Sequence, residues 1–313
     1  MGSRTWGSVG RKPGLRAGLV WIMASATLVS AQRGPVPLPR PSGGGVYEAS
    51  GVAAISGTTA VLFVDNTRPK HVFWTEFDAA GRQLGNVVPV ALGLDVPDLE
   101  DIATDGRYFY VVGSQSQGGG RRSAGLVRFM FDNRARQATG VEAVNGLEDV
   151  LTGAVPALRS GRGRGRGRGS SALNIEGLVW DAPRSRLLLG LRSPLSDEAA
   201  VVVPLAIRNS RAPFTAENLE AGSPIRLMLG GLAIRGLGFD PASKHVLVIA
   251  GASTFDDAQT FRLLDWDGVS ATPGRQLATF AARDKPEGVA VVTIGGRPRT
   301  LVVFDTGGYQ LLD

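Results

Sequence analysis

Short apolar runs alternate with turn-forming residues along most of the chain. Ala60–Asp65 and His71–Phe77 are typical runs, and Gly, Asp, Asn and Pro cluster between such segments. Runs of this length between turn signals predict β-strands, whereas helical periodicity is weak throughout. The pattern therefore predicts an all-β protein, in which residues 214–219 form at most one short helical turn.

The strand pattern restarts five times, each time with a similar short motif. Leu99-Glu100-Asp101-Ile102 and Ile175-Glu176-Gly177-Leu178 are two of these motifs. Aligning the five restarts puts one residue of each in a single column, at intervals of 50, 76, 59 and 52 residues: Ser50, Glu100, Glu176, Arg235 and Glu287. A period near 50 residues with about four strands per unit is typical of a β-propeller.

We therefore predict a β-propeller of five blades. A sixth, degenerate blade within residues 105–175 stays open, and a large β-sandwich is the rival architecture. The last restart has residues for only about three strands, so we expect a strand from around residues 36–47 to complete that blade and close the ring. Each blade alone has apolar faces that only neighbouring blades can cover.

The first 31 residues have the three-part organisation of a signal peptide. Basic residues precede an apolar run over 17–29, and Val29-Ser30-Ala31 is a small-x-small cleavage site. The run is shorter than the roughly 20 residues that span a bilayer, although an uncleaved anchor is the alternative. We predict export to the periplasm or the cell exterior without a transmembrane anchor after cleavage, then a Pro/Gly-rich linker over 32–45 and a single propeller domain over 46–313.

Composition narrows the possible chemistry. The 313 residues include 43 glycines, no cysteine and two histidines, His71 and His245, which excludes disulfides, thiolate chemistry and a multi-histidine metal centre. The formal charge of +6 is concentrated in residues 1–31 and in an Arg-Gly tract, and the rest of the chain carries −2. We predict that the tract, at about 159–171, is a disordered loop and that nucleic acid is not the partner.

The repeat also predicts a shared site. Residues before the first strand of each propeller blade lie at one end of the central channel, and the loop after the second strand reaches the same rim. This placement predicts four metal ligands, Glu100, Asp101, Glu176 and Glu287, and seven ligand-binding residues, Glu48, Asp65, Ser114, Arg192, Arg235, Lys285 and Asp305. Clustered carboxylates suit Ca²⁺, but the same acids could instead accept backbone hydrogen bonds from neighbouring blades and hold the ring together.

Several of these strings resemble a known family. Tyr47-Glu48-Ala49-Ser50-Gly51, Ile175-Glu176-Gly177-Leu178, Gly190-Leu191-Arg192-Ser193-Pro194 and Lys285-Pro286-Glu287-Gly288-Val289 are similar to the exported bacterial family called domain of unknown function 3616. That family is in turn similar to esterase-like and phytase-like propellers. The resemblance covers roughly residues 46–313 and implies a propeller and export. Where the family tends to have Ser-His-Ser, this chain has Ser114-Gln115-Ser116, so a base at that position is missing.

Two functional hypotheses follow. In the first, the rim binds a small ligand or an envelope component, with or without a divalent cation. In the second, which the phytase-like resemblance implies, the protein is a metal-dependent phosphoester hydrolase in which Ca²⁺ is held by the acids and phosphate by Arg192, Arg235 and Lys285. No Gly-x-Ser-x-Gly motif and no Walker loop occurs in the chain. We favour the first hypothesis and leave open whether the protein is an enzyme.

Overall fold

A computed structural model describes residues 1–2, 34–116, 124–158, 173–254 and 259–313. These residues contain twenty-one strands in five antiparallel sheets. The predicted signal peptide and the Arg-Gly loop fall almost entirely on residues 3–33 and 159–172, which lie outside the described residues. None of the helices in the described part of the chain is long and apolar enough to cross a membrane.

The strands follow the chain order closely. Strand β1 is Val36–Pro37. Blade one contains β2 (Ala49–Ala54), β3 (Ala60–Asp65), β4 (His71–Phe77) and β5 (Gln83–Ala91). Blade two contains β6 (Leu99–Thr104), β7 (Phe109–Gly113), β8 (Ala124–Asp132) and β9 (Gln137–Asn145). Blade three contains β10 (Asn174–Asp181), β11 (Arg186–Ser193), β12 (Ala200–Ile207), β13 (Leu219–Ala221) and β14 (Ile225–Leu227).

Blades four and five complete the ring. Blade four contains β15 (Ala233–Asp240), β16 (His245–Gly251), β17 (Phe261–Trp266) and β18 (Gln276–Phe280). Blade five contains β19 (Pro286–Ile294), β20 (Arg297–Phe304) and β21 (Gly308–Leu312), with β1 as its fourth strand. The first strands of the five blades contact one another in a closed cycle, and we call them the inner strands: β2, β6, β10, β15 and β19. The prediction of a five-bladed propeller is confirmed.

The N-terminal segment closes the ring as predicted. Val36 pairs with Tyr309 and Pro37 with Gly308, and the amide of Leu38 donates to the carbonyl of Gly307 at 3.0 Å. The predicted linker over 32–45 therefore includes a strand. Pro37 is tolerated there because β1 is the outermost strand of its sheet, where an amide donor is not needed on the open side.

Apolar contacts between blades form the core. Five buried clusters occur, one between each pair of neighbouring blades. Leu62 and Val111 pack between blades one and two, for example, and Ile249 and Val302 between blades four and five. Each blade thus buries both of its faces, which explains why the radial arrangement is stable and a single blade is not.

The sequence left a sixth blade possible within residues 105–175, and the described residues of this segment belong to blades two and three. After β9, residues Leu147–Ala154 form helix α1, which starts after Gly146 in a left-handed conformation. Leu147 and Leu151 are fully buried against the core between those two blades. This helix was not predicted, because its eight residues are too few for helical periodicity to stand out. In residues 214–219 the structure has one 3-10 turn, Ala216–Asn218.

Candidate ligand site at the channel rim

A β-bulge occurs at the same place in every inner strand. In blade two, Leu99 pairs with Gly113 and Asp101 with Val112, so Glu100 is skipped in the ladder. The same slip skips the equivalent residues of the other blades: Ser50, Glu176, Arg235 and Glu287. These five bulge residues are the column that the sequence repeat predicts. A bulge re-aims a side chain locally, and here it does so once per blade at one end of the channel.

The residue after each bulge residue is glycine in four blades and Asp101 in blade two. A Cβ on Gly236 would lie 1.9 Å from the carbonyl oxygen of Glu287, and one on Gly288 would lie 2.7 Å from the Cα of Gly51. Neighbouring inner strands therefore approach too closely at this level for ordinary side chains. A narrow, five-bladed ring requires this close approach.

Asp101 contributes the one side chain at this level, and its carboxylate links three blades. Its Oδ2 accepts the amides of Leu178 at 2.7 Å and Leu237 at 3.3 Å, and its Oδ1 accepts the amide of Ile102 at 2.7 Å. Burial raises the pKa of Asp101 well above its usual range, while the three amide hydrogen bonds oppose that rise. Asp101 thus does what the scaffold alternative predicts, because both of its oxygens are used by backbone donors.

Three bulge residues form a chain of ion pairs across blades three, four and five. Glu176 Oε1 accepts Arg192 Nη1 at 2.7 Å, and Glu176 Oε2 lies 2.9 Å from Arg235 Nε. Arg235 Nη2 in turn donates to Glu287 Oε1. Arg192 also reaches blade four through its Nε, which donates to the carbonyl of Ser253 at 3.1 Å. All four charged side chains are buried, and these ion pairs bring the predicted residues Glu176, Arg192, Arg235 and Glu287 together.

Glu100 differs from these residues because its carboxyl group has no hydrogen-bond or ion-pair partner among the described residues. Its residue surface is only 8% exposed. Burial, then the negative charges of Glu176 and Asp98, raise the pKa of Glu100 well above its usual range. A second acceptor without a partner lies on the neighbouring blade: the buried Oδ1 of Asn174, whose Nδ2 donates to Glu176 Oε1 at 3.3 Å.

Protonation and charge are coupled across this rim cluster, which we define as Glu100, Glu176, Arg192, Arg235 and Glu287. Burial raises the pKa of Glu287 to about 7, although the guanidinium of Arg235 lowers it. The carboxylates of Glu176 and Glu287 raise the pKa of Arg235 despite its burial. Three carboxyl groups face two guanidinium groups, so one carboxyl must carry a proton, or meet an added cation, for the cluster to be neutral.

Four other predicted rim residues lie near the junction of blades five and one: Glu48, Asp65, Lys285 and Asp305. The side chains of the last three have partners, whereas Glu48 donates its backbone amide to Asp65 Oδ2 at 3.3 Å. Lys285 Nζ donates to Asp305 Oδ2 at 2.9 Å. Asp65 is fully buried and accepts Thr67 Oγ1 at 2.6 Å and a guanidinium nitrogen of Arg68. Glu48 is half-buried, and burial raises its pKa, helped by the charges of Asp305 and Asp65.

Ser114 belongs to a small polar group at the end of β7. Its Oγ donates to Asp98 Oδ2 and lies 2.9 Å from Ser116 Oγ, and its carbonyl accepts the amide of Ile175 at 2.9 Å. Asp98 has a φ of 56°, a left-handed conformation that a non-glycine residue rarely adopts. Asp98 and Asn174 were missed from the sequence, since neither occupies the repeat column.

The described donors do not fit a calcium ion. Among the described residues, no three acidic or histidine side chains come together in a group that could hold a metal. The carboxylates of Glu176 and Glu287 face arginine, and that of Asp101 is used by amides. Of the four predicted metal ligands, Glu100 has no side-chain partner among the described residues and Glu287 pairs through Oε1 alone, so few oxygens remain for Ca²⁺, which requires six to eight.

A cavity at the opposite end of the channel was also missed. It has a volume of about 320 Å³ and is lined by all five inner strands and the turns that follow them. In each inner strand, the lining begins at the residue that follows Asp101 or the equivalent glycine. Ile102, Leu178 and Leu237 are three of these residues. Nothing in the sequence marks it, because small apolar strand residues at a cavity cannot be distinguished from core residues.

Comparisons with known proteins give a family match to part of the chain and distant structural likenesses. No curated protein matches the chain. A glucose dehydrogenase structure is 10% identical, with a TM-score of 0.45, over 88% of this chain and 97% of that one. Myxococcus xanthus glutaminyl cyclase is 11% identical, with a TM-score of 0.43, over 89% and 96%. A Xanthomonas campestris gluconolactonase is 15% identical, with a TM-score of 0.40, over 85% and 75%.

The family match covers the C-terminal part of the chain. Residues 169–311 match the model described as "Protein of unknown function (DUF3616)". This segment spans blades three to five and includes Glu176, Arg192, Arg235 and Glu287 of the rim cluster. Over these residues, which are less than half of the chain, the match agrees with the resemblance to domain of unknown function 3616 found in the sequence.

Proposed function

We propose that the protein binds a small ligand carrying a primary ammonium group at the rim cluster, with Glu100 as the accepting residue. The observation that supports this most strongly is the buried carboxyl of Glu100, which has no partner among the described residues although the acids around it do. A buried carboxylate without a partner is costly, and a cation from a ligand removes that cost.

The chemistry of the neighbouring groups favours an ammonium over a metal ion or an anion. A primary ammonium brings three hydrogen-bond donors and no acceptor. The described rim offers matching acceptors: the oxygens of Glu100, a residue that is 8% exposed, and the buried Oδ1 of Asn174, which has no hydrogen-bond partner there. An added single positive charge also balances the charge of the cluster. With the predicted signal peptide, this binding would take place in the periplasm or outside the cell.

The hydrolase hypothesis has less support. The three basic residues assigned to phosphate each face a carboxylate of the chain itself: Arg192 with Glu176, Arg235 with Glu287, and Lys285 with Asp305. A phosphate would have to displace these pairs. Catalysis therefore stays a prediction from the phytase-like resemblance.

A thermal-shift experiment on the purified chain tests the proposal. The probes are ethylammonium and putrescine, and tetramethylammonium is the matched control because it has the charge without N–H donors. A ligand that binds only the folded chain raises the melting midpoint with concentration. We expect a rise with the two primary amines, larger at pH 8.5 than at pH 6, since protons compete for Glu100.

Two variants locate the effect. Glu100→Gln keeps the shape and removes the charge, and should abolish the shift. Glu220→Gln is the control, because Glu220 lies in an exposed pair with Arg208. A separate set of melts with Ca²⁺ in place of the amines tests the calcium alternative. An equal shift in the parent and in Glu100→Gln, or no shift with either amine, would refute ammonium binding at Glu100.

A further inference from the structure

We propose that the cavity at the other end of the channel is a second, separate binding site, which takes a small and mostly apolar molecule. The cavity of about 320 Å³ is at the lower end of the size range of ligand pockets. It is lined by the later residues of the inner strands, whereas the rim cluster lies at their beginnings. The proposal does not depend on the function of the rim.

The cavity is closed toward the rim and open on the opposite face. The lining residues next to the level of Asp101 are buried, with Ile102, Leu178 and Leu237 at most 1% exposed. Lining residues at the far ends of the inner strands are half-buried or exposed, such as Phe239 and Pro241. The Asp101 carboxylate and the close glycines therefore separate the cavity from the rim.

The side chains of the wall favour an apolar ligand. Most are Val, Ala, Ile and Leu, with the aromatic rings of Trp180 and Phe239. Two of the three polar lining side chains are already used: Thr104 Oγ1 donates to the carbonyl of Tyr108, and Asp105 accepts the amides of Arg107 and Tyr108 and the hydroxyl of Tyr110. The third, Ser56, is exposed. Apolar cavities of about half this size bind molecules as small as benzene.

The aromatic side chains indicate the ligand shape. The ring of Trp180 stacks on that of Tyr110, with a centroid distance of 6.0 Å and an interplanar angle of 5°. This contact, which lies in the core between blades two and three, fixes the position of Trp180 at the cavity wall. The inner strands are also sheet edges, so their backbone groups toward the channel can pair with one polar group of a ligand. A planar molecule of roughly ten non-hydrogen atoms with a single donor fits this description.

Indole is the probe for the test, and imidazole is the polar control of similar shape. Isothermal titration calorimetry on the full chain should give saturable heat with indole and none with imidazole. Ala54→Phe places a ring at the half-buried end of β2, in the cavity wall, and should weaken indole binding by at least about tenfold. Val291→Phe places a ring in the cavity wall from blade five and should weaken indole binding in the same way. With two variants, the test still works if one of them fails to fold.

The rim serves as the control for location. Glu100→Gln should leave indole binding unchanged, because Asp101 lies between the two ends. Thermal melting of each variant establishes that it is folded before titration. The proposal is overturned if indole gives no saturable heat, if both folded phenylalanine variants bind it as tightly as the parent, or if Glu100→Gln abolishes binding.

Discussion

Replacing Asp101 by alanine removes the carboxylate that accepts amides from three inner strands. Two of these donors, on Leu178 and Leu237, belong to other blades and lie in residues at most 1% exposed. Without an acceptor, each buried amide costs about 1–3 kcal/mol, with the 3.3 Å bond at the lower end. The raised pKa of Asp101 indicates that its carboxylate is itself costly to bury. Removing the carboxylate recovers this cost and offsets part of the lost free energy of unfolding.

We therefore expect Asp101→Ala to lower the free energy of unfolding by about 2–4 kcal/mol, out of a typical total of about 5–15. In a domain of this size the melting midpoint should fall by roughly 4–10 °C. Asp101→Asn should have an intermediate effect, because its amide keeps one acceptor but directs a donor group at the amides. The measurement is urea unfolding followed by tryptophan fluorescence, with the melting midpoint as a second readout.

The matched control is Asp132→Ala. Asp132 also accepts two amides, those of Arg134 and Ala135 at 2.9 Å, but in an exposed turn where water can replace it. Its loss should cost less than about 1 kcal/mol. If Asp101→Ala is no more destabilising than Asp132→Ala, the view that Asp101 holds the ring together is wrong.

Three further predictions concern the same frame. Burial raises the pKa of Glu287 to about 7 against 4.5 in the unfolded chain, so this group alone should lower the free energy of unfolding by at most about 1.4 kcal/mol per pH unit as the pH rises from about 5 to 7. The raised pKa values of Glu100 and Asp101 add to the slope in the parent, and Glu287→Gln should make it less steep in urea titrations; an unchanged slope would contradict the assignment. Gly236→Ala should cost about 3 kcal/mol or more, since its Cβ would meet backbone, whereas Gly153→Ala, with open space around it, should be neutral or stabilising in thermal melts. Deleting residues 35–38 removes the closing strand and the buried Leu38, and should cost about 2–4 kcal/mol in urea unfolding; an unchanged midpoint would show that the ring does not need that strand.

The sequence was sufficient for the architecture because the repeat is carried by local features. Turn residues and apolar runs mark each blade, and the aligned column of Ser50, Glu100, Glu176, Arg235 and Glu287 coincides with the five bulges. The closing strand could also be predicted, since the last blade lacks one strand. The boundary of that strand could not, because only two residues form it and they lie in a Pro-rich segment.

The roles of the acids were harder to predict than their positions. Asp101 and Glu100 are adjacent in sequence and were assigned to the same metal, yet one is held by amides and the other has no partner among the described residues. The difference depends on which blade each carboxylate meets, and a repeat alignment does not contain that information. The pairing of Glu176 and Glu287 with Arg235 likewise depends on distances between blades.

The five bulges have a consequence for how such proteins can diversify. Each blade presents one side chain at the rim from a position that its own ladder skips, so exchanging that side chain leaves strand pairing untouched. The residues that give the rim its charge are therefore separate from the residues that pair the strands of each blade. Substitutions at these five positions can therefore change the chemistry of the rim without changing how the strands pair.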